Sequence, residues 1–270
     1  MPELPEMENY KQQLSSRLIG QTITAVQIER SKSINTPSAD FCQQVERQTI
    51  INIERRAKYL LFNLASEKVL LLHLMLGGKL FFGSEADSPK RTKQVVLSFG
   101  EEQLYFIGLR LGFLHILSPT EVEGKLAGIG PEPLSPQFTY EALQKQLEQK
   151  QGAIKNALID QAFIAGIGNR YSDEICFTAE IHPMKKIKTL GDADIVKLFQ
   201  AIRQVLTEAT HYGGYMDMPL YKGDTKTGSY LPYFKVHGKA DHPCPRCGAK
   251  IIMEKIASKK VYYCPNCQQG

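Results

Sequence analysis

Along this 270-residue chain the apolar positions change period more than once. Over residues 4–19, Met7, Tyr10, Leu14 and Leu18 recur at helical steps, which predicts an amphipathic helix stopped by Gly20. From residue 22 to about 118 the texture is that of strands: TITAVQIE, INIE, YLLFNL, KVLLLHLML, KLFFG, QVVLSF, LYFIGL and GFLHIL follow one another, and FGEE at 99–102 reads as a hairpin turn. A β-sandwich or barrel led by one helix fits this half. Gly and Pro then punctuate GIGPEPLSP at 128–136, a linker. Helical patterns resume in FTYEALQKQLEQKQ, GAIKNALIDQAF and RYSDEICFTAEI. In the segment 192–212, Ile195, Leu198, Phe199, Ile202 and Leu206 share one stripe. Residues 213–239 are rich in Gly and Pro with little periodicity, which predicts a mobile loop. KIIMEKI and KKVYYC close the chain as two strands of a hairpin.

Hydrophobic residues make up 43% of the chain, enough for ordinary cores, and the length allows two domains. No apolar run reaches ~18 residues, so no membrane span is expected. The N-terminus has acids immediately after Met1 and no basic-then-apolar signature, so the expected compartment is the cytoplasm. Charge is unevenly placed. Of the overall +5, residues 221–270 hold nine Lys or Arg and three acids, a balance of +6, and the remainder carries −1. A basic C-terminal segment on a nearly neutral body suggests a polyanionic partner, most simply nucleic acid.

Four of the six cysteines, Cys244, Cys247, Cys264 and Cys267, form two C-x2-C pairs separated by sixteen residues. Each pair can wrap one turn around a metal, and together they complete a four-thiolate shell. Such a closed shell leaves no open position, so one structural Zn2+ is expected, holding the hairpin tip Ala257-Ser258-Lys259-Lys260 as a basic finger. Cys42 and Cys176 lack partners at ligand spacing and read as ordinary small residues.

Two shorter motifs admit two readings each. In MPELPEME, Pro2 and Pro5 suit the first turn of a helix and Glu3 and Glu6 suit its positive end. Alternatively, with Met1 removed, Pro2 presents a secondary amine with carboxylates beside it, a pair capable of covalent chemistry. In AGIGN at 165–169, two glycines between helices can be a tight corner, or can aim backbone N–H groups and the Asn169 side chain at a phosphate.

Taken together and in order, MPELPEME, RRAKYLLF (55–62), GPEPL (130–134), AIKNALIDQAFIAGIGNRYSDEI (153–175), IHP (181–183) and the cysteine hairpin resemble the formamidopyrimidine-DNA glycosylase / endonuclease VIII family of bacterial base-excision repair enzymes. The resemblance spans nearly the whole chain. It implies an α+β fold of two domains: an N-terminal helix plus β-sandwich, then a helical helix–two-turn–helix domain with a C-terminal zinc-finger β-hairpin. The expected boundaries are 1–130 for the sandwich, 131–235 for the helix–two-turn–helix domain with a lesion-covering loop, and 236–270 for the four-cysteine zinc finger. It also implies a bifunctional glycosylase and AP lyase acting as a monomer on damaged double-stranded DNA, cytoplasmic and nucleoid-associated. The alternative is a lesion- or abasic-site-binding protein with little catalysis.

By the same resemblance, the Pro2 amine attacks C1′, displaces the damaged base and forms a Schiff base, and β- and δ-elimination follow. An α-amino group has a pKa near ~8 against ~10.4 for lysine, so little tuning is needed to free its lone pair. An iminium formed by a secondary amine keeps its charge as an electron sink. Glu3 handles protons at the sugar ring oxygen, Glu6 helps position the base or the amine, and Lys58 contacts phosphate near the lesion. Asn169 clamps phosphate in the helix–two-turn–helix, Lys155 is expected among the DNA-binding residues beside it, and Glu174 lies at a motif position. Lys259 stands where the family usually carries arginine, which keeps the charge but loses the bidentate fork.

The chain departs from the family pattern in the groups that fill the gap left by an extruded nucleotide. Leu76, in HLMLGG, takes the place of a methionine wedge. In IGLRLGF (107–113), Arg110 is the candidate for the orphaned partner base, and Leu111 or Phe113 stands in for an aromatic wedge. The lesion-covering loop is expected within Tyr215–Tyr230.

Overall fold

A computed structural model describes residues 1–256 and 259–269. Its contacts divide the chain into two compact units, one of residues 1–128 with 212–229, the other of residues 129–211 with 230–270. The boundaries expected from sequence assign 212–229 to the helical domain, whereas its contacts belong to the N-terminal unit.

The first unit opens with helix α1 (Leu4–Leu18). Its start is set by a reciprocal capping box between Glu3 and Glu6, with proline in the first turn. Met7, Tyr10, Leu14 and Leu18 are fully buried, as their spacing requires. Strand β1 (Ala25–Ile28) and the short helix α2 (Ser38–Val45) follow, then β2 (Ile50–Arg56), β3 (Tyr59–Leu64), β4 (Val69–His73), β5 (Lys79–Gly83), β6 (Lys93–Phe99), β7 (Glu102–Ile107) and β8 (Phe113–Leu117). Two four-stranded antiparallel sheets result, in the orders β1-β6-β7-β5 and β2-β3-β4-β8. Leu60, Phe62, Leu70 and Leu72 of one sheet and Leu80, Val95, Leu97, Leu104 and Phe106 of the other share one core, into which α1 lays its apolar face. Met216 and Leu220 from the late segment enter the same core, which is why 212–229 belongs here. The FGEE turn joins β6 to β7 with Phe99 opposite Glu102. Helix α2 is a difference from the strand-only reading: only Phe41 and Val45 of its eight residues are buried, one helical step apart. A further short helix, α3 (Pro119–Leu126), is capped by Ser118.

The second unit contains α4 (Tyr140–Glu148), α5 (Ile154–Leu158), α6 (Asn169–Thr178), α7 (Asp192–His211) and the hairpin β9 (Ile252–Ile256) and β10 (Lys259–Tyr263). Phe177 at the end of α6 packs with Val236, Cys244, Ile251, Tyr262 and Cys264, so the cysteine module and the helices share a core. The Glu174 carboxylate, buried in α6, accepts from the amides of Lys235, Val236 and His237 at 2.9, 3.0 and 2.8 Å. Those bonds fix the strap leading into the cysteine module. No helix among the described residues is long and apolar enough to cross a membrane.

Candidate active site and nucleic-acid interface

The head of α1 gathers the chemistry expected at the N-terminus. Pro2 is buried, and Glu3 and Glu6 are 2% and 1% exposed. The Glu3 amide donates to Glu6 Oε2 at 2.7 Å. Lys58 comes from the two-residue turn between β2 and β3, where Ala57 holds a left-handed φ of 52° that only a constrained turn maintains in a non-glycine residue. That turn directs Lys58 inward, to 5% exposure. Burial lowers the Lys58 ammonium below its ordinary range, and the negative charges of Glu3 and Glu6 oppose that shift. The fold therefore places Glu3, Glu6 and Lys58 in one buried electrostatic cluster at Pro2, drawn from two separate stretches of the chain. His73, at the end of β4, adjoins it. Burial, then the charges of Lys58 and Lys125, pull its imidazole down to about 4, so it is neutral at pH 7. Nothing in the sequence singles His73 out beyond its place in HLMLGG.

Residues 213–229 close on this cluster. Glu6 Oε1 accepts from the Tyr215 amide at 3.0 Å, and the Tyr215 hydroxyl donates to the Met1 carbonyl at 2.5 Å. Gly214 has φ +70°, and a Cβ there would overlap Glu6 Oε1, so this position requires glycine twice over. The segment is stitched down further along. Thr227 Oγ1 accepts from Asn9 and Gln13 of α1, and Asp224 accepts from the amides of Leu220, Lys226 and Thr227. Two ion pairs, Lys79–Asp217 at 2.5 Å and Lys222–Asp87 at 2.8 Å, flank a cavity of about 530 Å³ that Phe81, Arg91 and Met218 also line. The sequence texture predicts a mobile loop; the structure gives this part of it anchors along its length.

The candidate gap-filling residues lie on two loops packed backbone to backbone. A Cβ on Gly108 would overlap the Gly77 carbonyl, and one on Gly112 would overlap the carbonyls of His73 and Leu74. This contact brings the 74–78 turn against the 107–112 loop. Leu76 is 63% and Leu111 61% exposed, and Arg110 is exposed between β7 and β8. Phe113 instead sits in β8, its ring 4.1 Å from that of His115 with the Lys125 ammonium over its face. Of the two alternatives for the second wedge, Leu111 is the one that projects.

In the second unit, Asn169 opens α6 directly after the Gly168 cap. Its Nδ2 donates to the Lys260 carbonyl at 3.0 Å, joining the helix–two-turn–helix to the β10 end of the hairpin. Lys155 differs from its sequence expectation. It is 1% exposed, pairs with the buried Asp173, and donates to the carbonyls of Asn169 and Lys260 at 3.4 and 3.3 Å. Those donors are spent inside the protein, so Lys155 is placed to position Asn169 and the hairpin rather than to reach a phosphate. Asp173 holds Lys155 with one oxygen and His237 Nδ1 with the other, at 2.7 Å for the latter. Lys259 is exposed at the start of β10. Ala257 and Ser258, named for the tip, lie outside the described residues.

The four cysteines meet as their spacing requires. Their sulfurs all lie within 4.8 Å of one another, with Cys244–Cys267 at 3.8 Å and Cys247–Cys264 at 3.5 Å, and none is bridged. Four thiolates around zinc at Zn–S ~2.3 Å have S···S edges of about 3.8 Å, so the donor set and spacing fit a structural zinc. Gly248, at φ +78°, turns the first knuckle, and the Arg246 amide donates to Cys244 Sγ at 3.4 Å. Gln268 ties the module to its unit, accepting from the Cys264 amide and donating to the Ile181 carbonyl.

Comparison with known proteins agrees with this architecture segment by segment. Residues 1–113 match the formamidopyrimidine-DNA glycosylase N-terminal domain, 129–217 the H2TH domain of the same enzymes, and 241–270 the zinc finger found in FPG and IleRS. A formamidopyrimidine-DNA glycosylase of Pelotomaculum thermopropionicum is 37% identical across the whole chain and 99% of its own length. One from Symbiobacterium thermophilum is 38% identical over 99% of this chain and 89% of its own. The Lactococcus lactis Fpg bound to DNA containing an abasic site superposes with a TM-score of 0.92 at 30% identity, covering 99% of this chain and all of that one. The same Lactococcus protein bound to DNA containing N7-benzyl-Fapy-dG also gives 0.92, with both chains fully covered. The chain belongs to the formamidopyrimidine-DNA glycosylase family.

Proposed function

We propose that this protein is a bifunctional DNA glycosylase and AP lyase that removes oxidised bases from duplex DNA and cleaves the strand at the resulting abasic site. The observation that carries the reading is the buried cluster of Glu3, Glu6 and Lys58 around Pro2. In it Pro2, freed of Met1, is the nucleophile toward C1′, and Glu3 is the proton donor and acceptor at the sugar. Glu6 spends its oxygens on the amides of Glu3 and Tyr215, so its role is to set the height of the amine and of the covering segment. Lys58 supplies the positive charge for a phosphate beside the lesion. Leu76, Arg110 and Leu111 fill the gap left by the extruded nucleotide. Asn169 and Lys259 hold the backbone, and Lys155 orients Asn169 from behind. The zinc module is structural and supplies no chemistry at C1′. In this reading the working form is a monomer on double-stranded DNA in the bacterial cytoplasm.

Duplexes bearing one formamidopyrimidine, one oxidised pyrimidine or one abasic site test the reading. Base release with strand scission on the damaged duplexes, and scission without release on the abasic one, are expected. Tight abasic binding without cleavage would replace the reading with that of a lesion-binding protein.

A further inference from the structure

We infer that Tyr215 is a catalytic residue: its hydroxyl is the hydrogen-bond donor to the oxygen carried by C1′ when an abasic aldehyde condenses with the Pro2 amine. The inference rests on the reading of Pro2 as nucleophile. Its geometry is that of the Met1–Pro2 peptide. The Met1 carbonyl carbon is bonded to the Pro2 nitrogen, planar, with partial double-bond character. It stands in for C1′ of a carbinolamine or iminium on that nitrogen, and the Met1 oxygen stands in for the oxygen on C1′. The Tyr215 hydroxyl donates to that oxygen at 2.5 Å.

The backbone that carries the phenol is held independently of Met1. Tyr215 is 5% exposed, its amide is fixed on Glu6, and Gly214 lies against the same carboxyl. Its neighbour Met216 is locked into the sandwich core. A donor pre-set at the position where charge develops needs no reorganisation during reaction.

In the step assigned to it, the Pro2 lone pair forms the N–C1′ bond and the C1′=O π pair moves onto oxygen. The proton then carried by nitrogen passes to that oxygen through the phenol, giving the carbinolamine. A further proton, drawn from water through the same hydroxyl, lets the oxygen depart as water while the nitrogen lone pair closes the C1′=N bond. Glu3 remains the group for the ring oxygen.

Tyr215→Phe keeps the ring and the amide bond to Glu6 and removes the hydroxyl. With Met1-processed protein and abasic duplex, single-turnover trapping by cyanoborohydride should slow by about 100-fold, the usual effect of losing one such donor. Equilibrium binding supplies a readout that a merely structural role would not produce. Affinity for a reduced abasic site, which keeps a hydroxyl on C1′, should fall about tenfold, and affinity for a tetrahydrofuran site, which has none, should hold. Trapping at the unaltered rate, or equal weakening toward both analogues, would overturn the assignment of Tyr215 alone. No trapping by the unsubstituted protein, or undiminished trapping by Pro2→Gly, would overturn the Pro2 reading and this assignment with it.

Discussion

Gly214→Ala tests the link between residues 213–229 and the proposed catalytic head of α1. Two costs are separable. The first is backbone: φ is +70°, where a Cβ costs about 1 kcal/mol. The second is steric. The new methyl overlaps Glu6 Oε1, and that carboxyl accepts from the amides of Glu3 and Tyr215. If the carboxyl moves away, two buried N–H groups lose their acceptor, at about 1–3 kcal/mol each. If the segment moves instead, the Tyr215 bond and the anchorage of Met216 are lost. The expected total is about 3–7 kcal/mol, a large share of a typical domain's stability. Gly223→Ala is the control, because Gly223 has φ +88° in the same segment and nothing within 4 Å of a methyl placed there, so only the backbone cost of about 1 kcal/mol applies. Denaturant melts of both variants, each also made in a Glu6→Ala background, give the coupling directly. With the carboxyl gone, Gly214→Ala should cost no more than Gly223→Ala. Equal costs for the two glycine variants in the unaltered background would refute the argument.

Other expected outcomes follow from the same geometry. The His73 imidazole sits at about 4 against an ordinary 6.5, so the fold excludes a proton that the unfolded chain accepts. Its stabilisation is complete above pH 6.5 and is lost as pH falls from 6.5 toward 4, about 3 kcal/mol in all. Urea melts from pH 7 to 4 should show a shallower acid limb for His73→Phe than for the unsubstituted protein. Chelation should remove one zinc per chain, measured by metal analysis, and weaken DNA binding, because the hairpin carrying Lys259 and Lys260 depends on the four-thiolate site. Lys259→Arg should tighten binding to abasic duplex several-fold by restoring a bidentate grip, while the slope of affinity against salt stays unchanged because the charge is the same.

What could be read from the chain depended on how local each signal was. The cysteine site is two i,i+3 pairs plus a hairpin, so spacing alone specified it. The α1 face and most strands were visible because their buried sides repeat with period 3.6 or 2 over enough residues. Helix α2 was hidden, since SADFCQQV is short and has only Phe41 and Val45 to mark a face. Lys155 illustrates a different limit. A lysine in a motif reads as a cation for DNA, and only the fold shows Asp173 and two carbonyls enclosing it. Tyr215 carries no local signal at all, because its meaning comes from meeting Met1 and Glu6 more than 200 residues away in sequence.

In the proposed function the Pro2 amine forms the covalent bond to DNA. The most direct measurement mixes Met1-processed protein with duplex containing one abasic site, adds cyanoborohydride, and maps the adduct by mass spectrometry, with Pro2→Gly and a Met1-retaining form alongside. A DNA adduct on the Pro2 nitrogen of the processed protein, absent from the Met1-retaining form, is the predicted result. An adduct on a lysine, or none despite confirmed Met1 removal and DNA binding, would contradict it.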